Sequence, residues 1–175
     1  GGGKFAEVPG DQLGAFFQQP QLGRAVATLD WNRDGREDWV VSHLDTPAAL
    51  LTNTTLTPGR YLAFQLHGVK CSRDAIGARV EVHTDSAVQM RQMTAGDGYM
   101  ASNERCLRFG LGANANVREV VVIWPDVTRQ GGTTPLMKHI NIVVEGRPGY
   151  WALPSPRTRP LPNRGSRARL SADAS

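Results

Sequence analysis

A chain of 175 residues has room for one ordinary domain, or for two small units with a tail, and demands no large catalytic core. Its net charge of +4 comes from the end of the chain, where Arg157, Arg159, Arg164, Arg167 and Arg169 stand with one acid, Asp173, while the remaining 15 basic and 15 acidic residues cancel. A neutral body argues against a nucleic-acid-binding face, and no apolar run approaches the length of a membrane span.

The first residues lack the basic and apolar regions of a signal peptide. Because Gly1-Gly2-Gly3 opens inside what reads as a strand connection, the true N-terminus is expected upstream, and the missing signal says little about export. Residues 5–55 hold short apolar runs between turn signals. Residues 25–29, 39–42 and 48–52 are each of strand length, and an acidic, glycine-containing loop joins the first two as a hairpin. The pattern predicts about one four-stranded unit. One such unit leaves its sheet faces uncovered, which points to the last blade of a longer repeat array.

The loop reads Asp30-Trp31-Asn32-Arg33-Asp34-Gly35-Arg36-Glu37-Asp38, with oxygen-bearing side chains at relative positions one, three, five and nine. Ca²⁺ takes about six to eight hard oxygen ligands. Alternate positions of a tight loop point inward, so Asp30, Asn32 and Asp34 can converge on one ion. Gly35 permits the left-handed turn, the Arg36 carbonyl adds a ligand and Asp38 closes the site. Zn²⁺ would prefer His or Cys. An EF-hand needs a glutamate at position twelve and flanking helices, yet that position is Val41, inside a strand pattern. A plain Asp/Asn turn is the alternative, but three carboxylates with no cation nearby repel one another.

Thr57-Pro58-Gly59 marks a boundary, after which alternating strands follow. In residues 61–69 Leu62, Phe64 and Leu66 share one face. In residues 77–83 Ala78, Val80 and Val82 share one face and Arg79, Glu81 and His83 the other. Residues 88–94 and 105–109 read as further strands, residues 120–124 as a central strand covered on both faces, and residues 140–144 as the last strand. No segment carries a helical apolar stripe of any length. Residues 152–175 combine four prolines with arginines and serines, bury too little to offset chain entropy, and are expected to be disordered. The expected architecture is all-β: a terminal propeller-type blade over 1–58, a small antiparallel sandwich over 59–150 and a basic tail over 151–175. Cys71 and Cys106 could form one bridge, stay free, or pack as small apolar groups. Pairing is the working expectation, since Cys71 ends one strand and Cys106 starts a later one.

The loop and its flanks resemble the FG-GAP/VCBS repeat family, whose propeller blades carry a D-x-[DN]-x-D-G-x-x-D calcium loop between two strands. Where that family places a Phe-Gly or similar pair before the loop, this chain has Gly23-Arg24. The second half resembles the ASPIC/UnbV domain, through Ser72-Arg73-Asp74-Ala75-Ile76-Gly77-Ala78-Arg79-Val80, Gly96-Asp97-Gly98-Tyr99 with Ser102-Asn103, Phe109-Gly110-Leu111-Gly112 and Val122-Ile123-Trp124-Pro125, in that order. The resemblance covers residues 61–146. It implies the order of modules in cartilage acidic protein-like and bacterial secreted proteins, and brings no catalytic residues with it. The family pattern has no cysteine at 71 or 106.

Other motifs dissolve on inspection. Gly110-Leu111-Gly112-Ala113-Asn114-Ala115 fits a dinucleotide fingerprint but leaves no room for the helix that would receive a pyrophosphate. Trp124-Pro125-Asp126 is like a phosphatase acid loop, yet the residues six after Cys71 and Cys106 are Gly77 and Gly112, not Arg. His43, His67, His83 and His139 lack metal-ligand spacing, and no nucleophile elbow is present. Asn53-Thr54-Thr55 is a glycosylation acceptor with meaning only in a secretory pathway. Two functions are therefore expected of such a chain. One is a secreted, non-catalytic, Ca²⁺-binding adhesion or scaffold module that follows upstream repeats of the same chain and presents loops to a protein or polysaccharide. The other is an accessory domain of a larger enzyme whose catalytic part lies upstream.

Overall fold

The computed structural model describes residues 5–56, 59–112, 116–132 and 135–153. Two short helical turns, α1 (Gly10–Leu13) and a 3-10 turn (Ala15–Gln18), lead into three sheets. The first is an antiparallel meander of β1 (Gly23–Leu29), β2 (Asp38–His43) and β3 (Ala49–Leu51). The expectation of a four-stranded unit is corrected here: among the described residues the first sheet has three strands, and the chain before β1 forms two helical turns in place of a fourth.

The other two sheets have four strands each. The second runs β11 (Trp151–Leu153), β10 (Ile140–Val144), β4 (Arg60–His67), β7 (Leu107–Gly112). The third runs β6 (Val88–Gln92), β5 (Arg79–Thr84), β8 (Val117–Ile123), β9 (Arg129–Gly132). Pairing is antiparallel except between β10 and β4, which run parallel with Ile140 beside Ala63 and Val144 beside His67. Period-two alternation aims Leu62, Phe64 and Leu66 of β4 and Leu107, Phe109 and Leu111 of β7 at Val80 and Val82 of β5 and Val120 and Val122 of β8. These side chains close one core with Ala75, Met93 and Trp124. Phe64 and Phe109 meet edge to face, 5.9 Å between ring centres.

The continuous apolar run in β8 is central, between β5 and β9. Its inward residues fill the core, and the outward Val121 and Ile123 are buried as well. Arg79 and Arg129 flank Ile123 on the two neighbouring strands, where their aliphatic stems can cover it. Strand β9 escapes a sequence reading because Arg129-Gln130-Gly131-Gly132 has no apolar residue. Gln130 nevertheless joins the two sheets: its Oε1 accepts from Trp124 Nε1 (3.0 Å) and Gly146 N (2.9 Å), and its Nε2 donates to the carbonyls of Val144 (3.2 Å) and Arg147 (2.8 Å).

The tail was expected over 151–175, with disorder from residue 152, and its first residues are corrected. Trp151, Ala152 and Leu153 pair with Ile142, Asn141 and Ile140, so they extend the second sheet. The remainder of the expected disordered tail, residues 154–175, lies outside the described residues, as do Thr57, Pro58 and residues 113–115.

The turn after β4 is organised by one carboxylate. Glu145 Oε2 accepts from Val69 N (2.7 Å), Lys70 N (2.7 Å) and Cys71 N (3.0 Å), which holds its pKa down to about 2. Cys71 belongs to this turn, and its thiol is raised by burial and by Glu145. Cys106 sits elsewhere, buried just before β7 beside Arg108 and Glu104, with burial pushing its thiol to about 11. Both are free, so the expected bridge is not formed. The two ends that strand order seemed to bring together point into different surroundings.

The depressed pKa of Glu145 means that its contribution is complete above the ordinary carboxylate value of 4.5 and is lost as pH falls through about 2. Glu145→Gln should therefore unfold more readily in denaturant at pH 6 and show a flatter loss of stability below pH 4.5 than the parent. A parallel acid response in the two proteins would remove Glu145 from this role. A chain ended after Trp151 should melt below one ended after Leu153, because it loses two of the three β11 pairs, and circular-dichroism melts compare them directly.

Candidate metal centre

The hairpin loop is shaped by its own acids. Asp30 Oδ1 accepts from Asp34 N (3.0 Å) and Oδ2 from Gly35 N (2.9 Å), while Asn32 Oδ1 shares the Asp34 amide (3.2 Å). Asp34 Oδ1 takes Arg36 N (2.9 Å). Asp38 spans the base of the loop, its Oδ2 accepting from Trp31 N (3.2 Å) and its Oδ1 from Asn53 N (2.7 Å) beyond β3. Asp30 and Asp38 are 5% and 1% exposed. Burial raises the Asp30 pKa, opposed by the Gly35 N–H, by Arg108 and by the Asp34 N–H.

The turn itself needs left-handed backbone at Arg33 (φ 60°) and Gly35 (φ 87°). At Gly35 the constraint is double, since a Cβ there would stand 2.2 Å from the Tyr61 ring. Tyr61 therefore forms the seat of the loop. By strand alternation Tyr61 and Arg108 lie on the outer face of the second sheet, opposite the core face of Leu62 and Phe109. The free edge of β1 is fastened to the same region: Thr28 N donates to Asn103 Oδ1 (2.8 Å), Glu104 N donates to the Thr28 carbonyl (2.9 Å) and Asp30 N donates to Glu104 Oε2 (3.1 Å). Glu104 Oε2 also accepts from the Arg108 guanidinium (2.7 Å), whose same nitrogen lies 3.6 Å from Asp30 Oδ2.

The spacing predicts Asp30, Asn32, Asp34, Arg36 and Asp38 in one loop; the first four lie between β1 and β2, and Asp38 is the first residue of β2. The structure also shows two cations among them that the spacing did not announce. The Arg36 side chain pairs with Asp34 and donates to the carbonyls of Asn53 (2.7 Å) and Thr55 (3.3 Å), while Arg108 faces Asp30. The three carboxylates are thus not without positive charge. Among the described residues no group of three or more His, Cys, Asp or Glu stands in a metal-holding array.

The donor chemistry nevertheless fits a hard cation. Asp30, Asn32, Asp34 and Asp38 offer only oxygen, and backbone N–H groups already fix the Asp30 and Asp38 carboxylates. An open groove lined by Leu29, Asp30, Trp31, Arg33, Asn103 and Glu104 gives access to the loop. Asp34 Oδ2 holds the Arg36 guanidinium and the Asn32 amide (2.7 Å), partners that an ion at that oxygen would have to displace. Asn103, Glu104, Arg108 and Tyr61 were not legible as site residues. They come from the other unit, and a charged residue on the outer face of a strand reads as solvated.

Gly35→Ala should destabilise the protein by roughly 2 kcal/mol or more, from left-handed strain together with displacement of Tyr61. Equilibrium urea unfolding measures it, and a loss within about 0.5 kcal/mol, the usual range for a neutral surface change, would show that the ring does not seat the loop.

Residues 68–147 match the family described as ASPIC and UnbV. No curated protein matches the chain. Among the described residues no helix is long and apolar enough to cross a membrane.

Proposed function

We propose that the sandwich, with its ASPIC and UnbV match, and the hairpin sheet in front of it form a secreted, non-catalytic, Ca²⁺-stiffened module that ends a longer repeat protein and presents loops to a protein or polysaccharide. The observation that carries this reading is the Asp30-x-Asn32-x-Asp34-Gly35-x-x-Asp38 loop, all oxygen in its side-chain donors and seated on the second unit. Bound there, Ca²⁺ would supply the positive charge that organises the loop's carboxylates. Asp30, Asn32 and Asp34 would hold it with the Arg36 carbonyl, and Asp38 would close the base. Asp30 N, donating to Glu104, would pass the stiffening to the sandwich.

The first sheet supports the place at the end of a repeat array. Trp39 and Val26 lie on one of its faces and Leu50 on the other, each close to half exposed. A short sheet that buries Val41 yet leaves apolar side chains half exposed on each face is what a blade offers to a neighbour. FG-GAP/VCBS-type upstream repeats of the same protein are the proposed cover, in the arrangement of cartilage acidic protein-like chains.

Ca²⁺ should raise the melting temperature of the full chain over that in chelator, with a gain of about 2.7 kcal/mol at a hundredfold excess over Kd. Asp34→Ala should remove most of the rise. Because burial raises the pKa of Asp30, protons compete with the ion at that carboxyl, and the rise should shrink as pH is lowered from 7 toward the carboxylate range. Identical melts of folded protein with Ca²⁺ and with chelator would end the reading.

A further inference from the structure

We propose that Arg108 is the resident cation of the aspartate loop and sets how tightly the loop binds Ca²⁺, an inference that rests on the Ca²⁺ reading above. Arg108 belongs to β7, on the other unit, and its side chain is 7% exposed. One guanidinium nitrogen is shared between Glu104 Oε2 at 2.7 Å and Asp30 Oδ2 at 3.6 Å, while its buried Nε has no hydrogen-bond partner. The contact with Asp30 is thus one of charge at a distance rather than a fitted fork of hydrogen bonds. It neutralises a carboxylate that is itself 5% exposed and that is the first ligand of the proposed ion.

A guanidinium in that place acts on the two states of the loop with opposite sign. Without the ion it stabilises Asp30 and Glu104, which would otherwise be two acids close together away from water. With the ion it stands near a divalent cation of like charge, and little solvent intervenes to screen the repulsion. The charge therefore favours the metal-free loop over the loaded one and weakens affinity by the difference. Glu104 works in reverse, since it draws the guanidinium away from Asp30 and adds negative charge beside the loop. A residue that merely packed the interface would shift both states alike.

The test is a calorimetric Ca²⁺ titration of the full chain beside Arg108→Gln and Glu104→Gln, with denaturant unfolding of each in Ca²⁺ and in chelator. Arg108→Gln should bind Ca²⁺ about tenfold more tightly or better. It should lose stability in chelator and recover most of it in Ca²⁺. Glu104→Gln should bind more weakly than the parent. Arg118→Gln, which removes the same charge from the exposed Asp85 pair, should leave Kd within about twofold. Should Arg108→Gln fail to fold in chelator, Arg108→Met read the same way takes its place, since Ca²⁺ would rescue any destabilised variant by mass action. Unchanged or weaker binding by a folded Arg108 variant, while the parent binds, would overturn this inference and leave the Ca²⁺ site standing. Absence of binding in parent and variants alike would overturn both.

Discussion

A guanidinium taken out of water must be neutralised where it stands, and Arg108 is neutralised by one acid four residues before it and by one from the far side of the chain. Glu104 comes from the segment just before β7, and Asp30 from the hairpin loop. The same residue ties the first sheet to the sandwich, because Glu104 pairs with Arg108 while its N–H donates to the Thr28 carbonyl of β1 and its carboxylate accepts from the Asp30 amide. Tyr61 lies against Gly35, where the absence of a side chain on the loop leaves room for its ring. The hairpin is joined to the second unit by buried charge and backbone hydrogen bonds, so the two are coupled mechanically.

Polar side chains do similar work inside the sandwich, where strand pairing alone leaves amides and carbonyls open. Asn141, fully buried in β10, accepts from Leu136 N (2.8 Å) and donates to the carbonyls of Ala63 (3.2 Å) and Leu136 (2.9 Å). Gln130 and Glu145 complete two further corners in the same manner. Each replaces water for backbone groups that the ladders do not reach, which is the condition for burying irregular chain. The apolar core holds the sheets face to face, and these three side chains hold the turns between them.

Much of this could be read from the residues. Alternation placed Leu62, Phe64 and Leu66 on the core face of β4 and Val80 and Val82 on that of β5, and the unbroken run at 120–124 marked a central strand. Oxygen spacing found the loop. Three things escaped, each for a physical reason. β9 lacks apolar residues because its contribution is made by one glutamine and by two glycines that pair with β8. β11 was hidden by its position beside a proline-rich, arginine-rich stretch, although Trp151 pairs with Ile142. The partners of the loop escaped because Asn103, Glu104 and Arg108 are separated from it by three strands of the sandwich, with Asp30 and Glu104 74 residues apart, and nothing local in a sequence records a contact at that range. The cysteines show the converse error, since order along the chain suggested a meeting that the surroundings of Cys71 and Cys106 do not allow.

The parallel pairing of β4 with β10 constrains how the molecule comes into being. Ala63 and Asn141 are 78 residues apart along the chain yet bonded in the middle of one sheet. A β4 strand emerging during synthesis can pair with β7 once that strand is made, but its other edge stays open until β10 arrives. Loop closure on this scale comes late and slowly, and for that interval β4 is an unprotected edge next to a half-built apolar face. The sandwich therefore has its greatest exposure to misassembly after most of its residues exist and before the last two strands have closed over them.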